Sequence, residues 1–185
     1  PGRFRGSGVG YRYANYAKEN FEVTLGNFYE QFGSGLLLRA YEERQLGIDN
    51  ALDGFRLILR PADGVTLKGL VGKQRLDFDS GLINGPGTIR AMDGEINLND
   101  AFERLATSGT RVTLGASFVS RFQPGSTISR DTLVLQLPNN VGSWGYRAQI
   151  QKGGFQLMGE YVRKINDPNA DNGFTYGDGE GILVN

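Results

Sequence analysis

The sequence predicts an all-β chain, an antiparallel up-and-down meander of long strands that forms part of a transmembrane β-barrel. Three observations carry that expectation. Apolar and polar residues alternate with period two over stretches longer than the roughly 5–6 residues of ordinary strands. The connections between those stretches alternate short and long along the chain. No apolar run approaches the ~20 residues of a membrane-crossing helix, and the mean hydropathy is only −0.34. That modest value fits strands whose side chains face lipid and lumen in turn.

The elements follow in order. Near the start, Val9, Tyr11 and Tyr13 flank Arg12, and Phe21, Val23 and Leu25 alternate with Glu22 and Thr24. Phe55, Leu57 and Leu59 oppose Arg56, Ile58 and Arg60, and Val65, Leu67, Gly69 and Val71 oppose Thr66, Lys68, Leu70 and Gly72. Over 88–98, Met92, Ile96 and Leu98 stand against Asp93, Glu95 and Asn97. The clearest stretch is 111–123, with Val112, Leu114, Ala116, Phe118 and Phe122 on one face and Arg111, Thr113, Gly115, Ser117 and Arg121 on the other. Trp144, Tyr146, Ala148 and Ile150 then alternate with Ser143, Gly145, Arg147 and Gln149. Phe155, Leu157, Gly159 and Tyr161 alternate with Gln156, Met158, Glu160 and Val162. A tilted membrane crossing needs about 9–11 residues, which these runs supply.

Short connections are expected at 16–20, 61–64, 99–109 and 152–154, and long ones at 30–51, 77–87, 124–140 and 166–177. Tight turns at one end and long loops at the other suit an outer-membrane barrel, with the turns periplasmic and the loops extracellular. Within 99–109, Asn99 or Asp100 is placed to cap a brief helical turn through Arg104, which Gly109 stops. The reading gives about nine strands, whereas bacterial barrels have even counts and must close. The chain starts at Pro1 and reaches Ile182-Leu183-Val184-Asn185 in what reads as mid-strand. A piece of a longer barrel, an open curved sheet when taken alone, is therefore expected.

Composition narrows the chemistry. Lys plus Arg and Asp plus Glu are each 20, so the basic excess of a nucleic-acid binder is missing. Cys and His are both absent, which removes disulfides, Cys/His zinc sites, thiol nucleophiles and imidazole acid–base chemistry from this stretch. No catalytic set, cofactor or metal site is expected. The glycine-rich 6–10 and 177–181 have no Lys-Ser/Thr and no following helix, and read as strand glycines near bends rather than phosphate loops. Asp167, Asp171, Asp178 and Glu180 read as a solvated loop, the alternative being weak calcium binding. Asp93 and Glu95 share a strand face, but a glycosidase also needs a sugar cleft and a partner at defined separation, which residue order does not show.

The candidate lumen-lining residues are Arg56, Arg60, Lys68, Asp93, Glu95, Arg111, Arg121, Arg147 and Glu160, with Arg12, Glu22 and Lys164 on the same face. They either line a wet lumen and bias its solute selectivity or pair across strands, at a few tenths of a kcal/mol per pair. Tyr11, Tyr13, Phe21, Tyr29, Phe122, Trp144, Tyr146, Phe155 and Tyr161 read as an aromatic girdle, or as cross-strand packing by the same residue types.

One segment breaks the alternation. Gly26-Asn27-Phe28-Tyr29-Glu30-Gln31-Phe32-Gly33-Ser34-Gly35-Leu36, then 38–44, 46–54, Lys68 to Arg75 and Asp93-Gly94-Glu95, resembles an uncharacterised family of large Bacteroidetes-type outer-membrane barrel proteins, a domain of unknown function. The resemblance is concentrated in 26–100. It implies a barrel fold, an outer-membrane location and a longer parent chain, and no established activity. From the residues themselves, Tyr29, Glu30, Phe32, Arg39, Tyr41, Glu43 and Arg44 form a candidate constriction. Gly33 and Gly35 permit a sharp turn that folds the apolar 36–38 inward. The alternative makes 36–41 the end of the next strand.

The expected function is an integral outer-membrane barrel in a lipid bilayer, with a channel, transport or structural role and no enzyme activity. The alternative is a soluble secreted β-sandwich or β-sheet module that binds glycan or protein. Outward-facing Val112, Leu114, Phe118 and Phe122 argue against a face in water.

Overall fold

The computed structural model describes residues 10–43, 45–77, 83–125, 127–130, 133–169 and 172–185. Its body is one antiparallel sheet of nine strands joined in sequence order. They are β1 (Tyr13–Lys18), β2 (Phe21–Phe28), β3 (Leu52–Ala62), β4 (Val65–Asp77), β5 (Ile83–Asn97), β6 (Thr110–Phe122), β7 (Asn140–Lys152), β8 (Phe155–Lys164) and β9 (Gly179–Val184). Each pairs with the next, and the sheet does not close within the described residues, so β1 and β9 are its edges. The central strands run from 10 residues in β8 to 15 in β5, about twice the usual length.

Period-two patterning and the observed registers act together. Leu114 pairs with Ile96 and Ala148, and Ala148 pairs with Gly159, on one face. Asp93 pairs with Lys68 and Ser117, and Arg147 with Gly115 and Glu160, on the other. A slip of one residue would exchange the two faces, so nine strands in register sort the apolar set from the charged set.

Tight connections lie at one end of the sheet. The β3–β4 and β7–β8 turns use Gly64 and Gly153 at φ of 71° and 58°, a conformation that suits glycine. The β5–β6 connection carries α1 (Leu98–Ala101) and α2 (Glu103–Ala106), but its cap is Asn97, not Asn99 or Asp100. Asn97 Oδ1 accepts the Asn99 N–H. Asn99 is instead buried, accepting from Val112 N and donating to the carbonyls of Leu105 and Thr110. It is the tie that holds the connection, a role no local pattern signals.

The opposite end carries the connections 29–51 and 165–178, and one over 123–139 that includes a hairpin of Thr127–Arg130 with Leu133–Gln136. The expected long loop at 77–87 is a correction: β5 already begins at Ile83. Register there jumps from Lys73↔Thr88 to Arg75↔Asn84 and Asp77↔Ile83. Gly85-Pro86-Gly87 falls in that irregularity, where a residue lacking an N–H is tolerated. Its turn-like composition disguised a bulged strand.

The hydrophobic cluster of Phe28, Phe32, Leu38, Ala40, Leu52, Leu70 and Ala91 lies on the charged face, where the 29–51 connection covers it. The other face exposes large apolar side chains, among them Leu67, Leu114, Phe118, Tyr146, Ile150 and Ile182. The amino-terminal aromatics depart from the expected girdle. Tyr13 pairs with Gly26 and so shares the face of Asn15 and Thr24. Tyr11 packs against both Tyr13 and Tyr29 there.

Candidate functional site

The chain from 29 to 51 is a strap laid over the charged face. Gly26, at φ 97°, lets β2 end in a close exchange with the chain before β1: Asn27 N donates to Arg12 O at 2.7 Å and Arg12 N donates to Asn27 Oδ1 at 3.0 Å. Glu30–Gln31 then pairs with Arg39–Ala40, and Glu42–Glu43 with Ile48–Asp49. Residues 36–41 therefore turn back on the strap and do not extend β3, which begins at Leu52. Gly33 and Gly35, at φ 53° and 94°, make the reversal.

Three attachments hold the strap. At the first, buried Glu30 divides its carboxylate, one oxygen accepting from Lys68 Nζ at 2.8 Å and the other from Arg56 Nη1 at 3.3 Å. Arg56 also reaches Glu22 and donates to Thr24 Oγ1 at 3.1 Å. Phe32, with 0% of its surface exposed, fills the space beside Lys68, whose ammonium lies 6.0 Å from the ring centroid. At the second, Ser34 N donates to Glu160 Oε2 at 2.8 Å, so a residue of the β2–β3 connection is bound to β8. A Cβ on Gly33 would lie 2.8 Å from Glu160 Oε2 and 2.9 Å from Arg147 Cδ. One on Gly145 would stand 3.1 Å from Leu37 Cδ1. Glycine at both positions lets the strap approach the sheet.

The third attachment is at the base. Asp49 and Arg75 form a 2.7 Å ion pair with side chains 3% and 2% exposed. Tyr29 Oη donates to Asp49 Oδ1 at 3.2 Å, and Arg75 N donates to Ala51 O at 2.9 Å. Burial, followed by the Asp49 carboxylate, pushes the Tyr29 phenol above its ordinary pKa, so it stays a donor.

Beside the strap, Arg147 joins β5, β6 and β7. Its guanidinium donates to Asp93 at 2.7 and 3.0 Å, to Ser117 Oγ at 2.9 Å and to Glu95 at 3.0 Å. Gly115 makes room: a Cβ there would lie 2.5 Å from Arg147 Cζ. A fork bonded to two carboxylates is held rigidly.

The whole chain, residues 1–185, matches a family of unknown function, DUF6029. The chain belongs to DUF6029. The match runs the full length, beyond the 26–100 stretch in which the resemblance is concentrated. No curated protein and no solved structure matches the chain.

In this DUF6029 chain the structure gathers Arg56, Lys68, Asp93, Glu95, Arg147 and Glu160 with Glu30 and Phe32 into one region, and paired contacts use most of their charge. Three candidates stand apart. Arg60 is exposed at the tight-turn end, Arg111 is exposed and 3.7 Å from Asp100, and Arg121 is exposed and pairs with Asp167 at 3.0 Å. On the strap, Arg39 is exposed with its guanidinium 4.4 Å from the Tyr41 ring centroid, and Glu43 accepts from Gln45 N at 3.2 Å. Arg44 lies outside the described residues. Sequence reasoning passed over Asp49, Arg75 and Ser34 as site residues. Asp49 and Arg75 do lie inside the stretches carrying the resemblance, but nothing in the local pattern sets them apart from the charges around them.

The acidic loop candidates are otherwise engaged. Asp167 pairs with Lys164 and Arg121, Asp178 pairs with Arg163 at 2.7 Å, and Asp171 lies outside the described residues. Among the described residues, no group of three or more His, Cys, Asp or Glu is placed to hold a metal ion.

Proposed function

We propose that this DUF6029 chain is wall of an outer-membrane β-barrel with a channel, transport or structural role, and that its strap narrows the lumen. The observation that carries this reading is the apolar face opposite the strap. On β7 and β8 it runs from Trp144 to Lys152, which pairs with Phe155. That is about 27 Å along the strand, or about 20 Å in height at a tilt near 40°, comparable to the lipid-facing band of outer-membrane barrels. Rings stand toward both ends of this stretch, with Trp144 packed against Tyr146 and Tyr161 and with exposed Phe155 at the tight-turn end. Water would leave this face as an unusually large apolar patch.

The strap adds the second half of the reading. Buried Phe32, Leu38 and Ala40 fill the charged side near the long connections. Toward the tight turns, Glu95, Arg111 and Gln151 are exposed. A barrel built on this wall has a filled mouth at one end and a polar vestibule at the other.

Extraction tests the location. The protein is expected in the outer-membrane fraction, soluble only with detergent and migrating differently on gels before and after heating. A detergent-free soluble protein overturns the reading. Deleting 32–43 tests the constriction, and single-channel conductance in planar bilayers should rise. Unchanged conductance in a folded deletion variant removes the strap's role.

A further inference from the structure

Cations on both faces of the sheet form ion pairs, Arg163 with Asp178 on the apolar face among them, but two at the long-connection rim of the apolar face do not. On the strap face Arg56, Lys68, Arg75 and Arg147 each meet a carboxylate. On the apolar face, Val71 pairs with Arg90 and Lys73 with Thr88, which makes Lys73 and Arg90 diagonal neighbours, roughly 7–8 Å apart at the backbone. Both are exposed, and among the described residues neither has a carboxylate within 4.0 Å.

The surroundings of Arg90 contain no acid. Val71 and Ser120 stand directly opposite it, with Gly69, Phe118 and Phe122 on the diagonals. Its guanidinium lies 5.5 Å from the Phe122 ring centroid, a cation–π contact that orients the group without neutralising it. Lys73 stands opposite Asp53, whose Oδ2 accepts from Asn84 Nδ2 at 3.1 Å. The two cations mark the rim of the apolar band on the side of the long connections. Lys73 lies in the outermost row with Asp53, Thr88 and Phe122, and Arg90 lies one row inward with Phe55 and Val71.

We propose that Lys73 and Arg90 bind the phosphate of a lipid headgroup at this rim, with exposed Phe118, one row inward of Arg90, beside the first acyl carbons. The proposal rests on the membrane reading above and names the partner of its apolar face. A guanidinium offers a planar fork and a lysine a mobile point charge, a combination suited to phosphate oxygens. A cation left next to hydrocarbon without an anion is costly, whereas at headgroup level the lipid supplies the anion.

Native mass spectrometry of the detergent-solubilised protein tests this with two lipid probes, a diphosphorylated lipid A and an uncharged diacylglycerol, and with inorganic phosphate. The unaltered protein should retain the phosphorylated lipid and release the diacylglycerol. At about 1 kcal/mol per basic residue, Lys73→Gln or Arg90→Gln should weaken retention about fivefold and the double variant about thirty-fold. Arg90→Lys should keep most of the binding, and Arg60→Gln, at the tight-turn end, all of it. Heat-modifiable migration of each variant reports that it has folded. Equal retention by a folded double variant overturns the headgroup site while leaving the barrel intact. So does inorganic phosphate binding as tightly as the lipid, or diacylglycerol retained equally well. A protein soluble without detergent overturns both readings.

Discussion

The connections 29–51 and 165–178 leave the sheet at the same end, yet they are held in different ways. The first supplies Phe32, Leu38 and Ala40 to the hydrophobic cluster and closes its base with the buried Asp49–Arg75 pair. The second is mostly exposed and is tied down by Arg121 and Lys164 on Asp167 and by Arg163 on Asp178. The first is the longer, but what it buries is what separates them. A connection becomes part of the core when it buries enough apolar surface to offset the entropy of ordering its backbone. The second leaves Ile165, Phe174 and Tyr176 exposed, and among its described residues only Pro168 is fully buried.

That contrast breaks first at Phe32. Phe32→Ala should cost about 3–5 kcal/mol and lower the urea midpoint of the folded protein, with the strap losing protection from hydrogen exchange. An unchanged midpoint would mean that the strap is not core. Asp49→Asn should cost a comparable amount, about 3–5 kcal/mol, because the buried Arg75 guanidinium loses the Asp49 charge. The paired change Asp49→Leu with Arg75→Met should recover most of that loss. If both variants are equally unstable, the charge pair is not what the site requires.

Gly115→Ala is smaller, about 1–3 kcal/mol, as expected for overpacking. Its Cβ would displace an Arg147 guanidinium pinned by Asp93 and Glu95. Arg147→Met in the same background should make the alanine nearly harmless, and a double-mutant cycle without coupling would disprove the mechanism. For the other connection, removing its anchor on β8 with Arg163→Ala should leave the urea midpoint unmoved, since exposed pairs contribute little.

The second connection should respond to acid before the strap does. Burial pushes the Asp167 carboxyl up, but Lys164 and Arg121 outweigh it and hold Asp167 below the ordinary carboxylate value. The Arg163 hydrogen bond, then the Asn166 N–H, hold Asp178 low as well. A depressed carboxyl contributes stability above its unfolded pKa and loses it as pH falls through the lowered value. Hydrogen exchange across 165–178 should therefore rise below about pH 4, while 30–40 stays protected by Phe32 and Leu38. Loosening of both connections at the same pH would erase the distinction.

Several of these features were legible in the order of residues. Alternation over 111–123 located β6 to within a residue at each end, because a strand with one wet face and one apolar face has no other way to be written. Glycine pairs at turns, and the charged set Arg56, Lys68, Asp93, Glu95, Arg147 and Glu160 on a single face, were legible for the same reason. Pro86 misled, since its chemistry is the same in a loop and in a bulge, and only the register across from Lys73 and Arg75 tells them apart. Asn97 and Asn99 exchanged roles for a related reason: both are good caps, and the burial of Asn99 against Val112 decides between them.

By itself, then, the sequence determined the local periodicity, and with it the order of the nine long strands and which side chains share a face, because these depend on neighbours two positions apart. Only the tertiary structure decided what each charge meets. Ser34 and Glu160 are 126 positions apart, and Arg147 and Asp93 are 54 apart. Contacts at that separation depend on register summed over several strands and on glycines that let backbones close in, and no local pattern encodes them. The lone cations Lys73 and Arg90 belong to the same class. Each is an ordinary residue in sequence, and each became notable once the sheet had placed it on the apolar face without an ion pair.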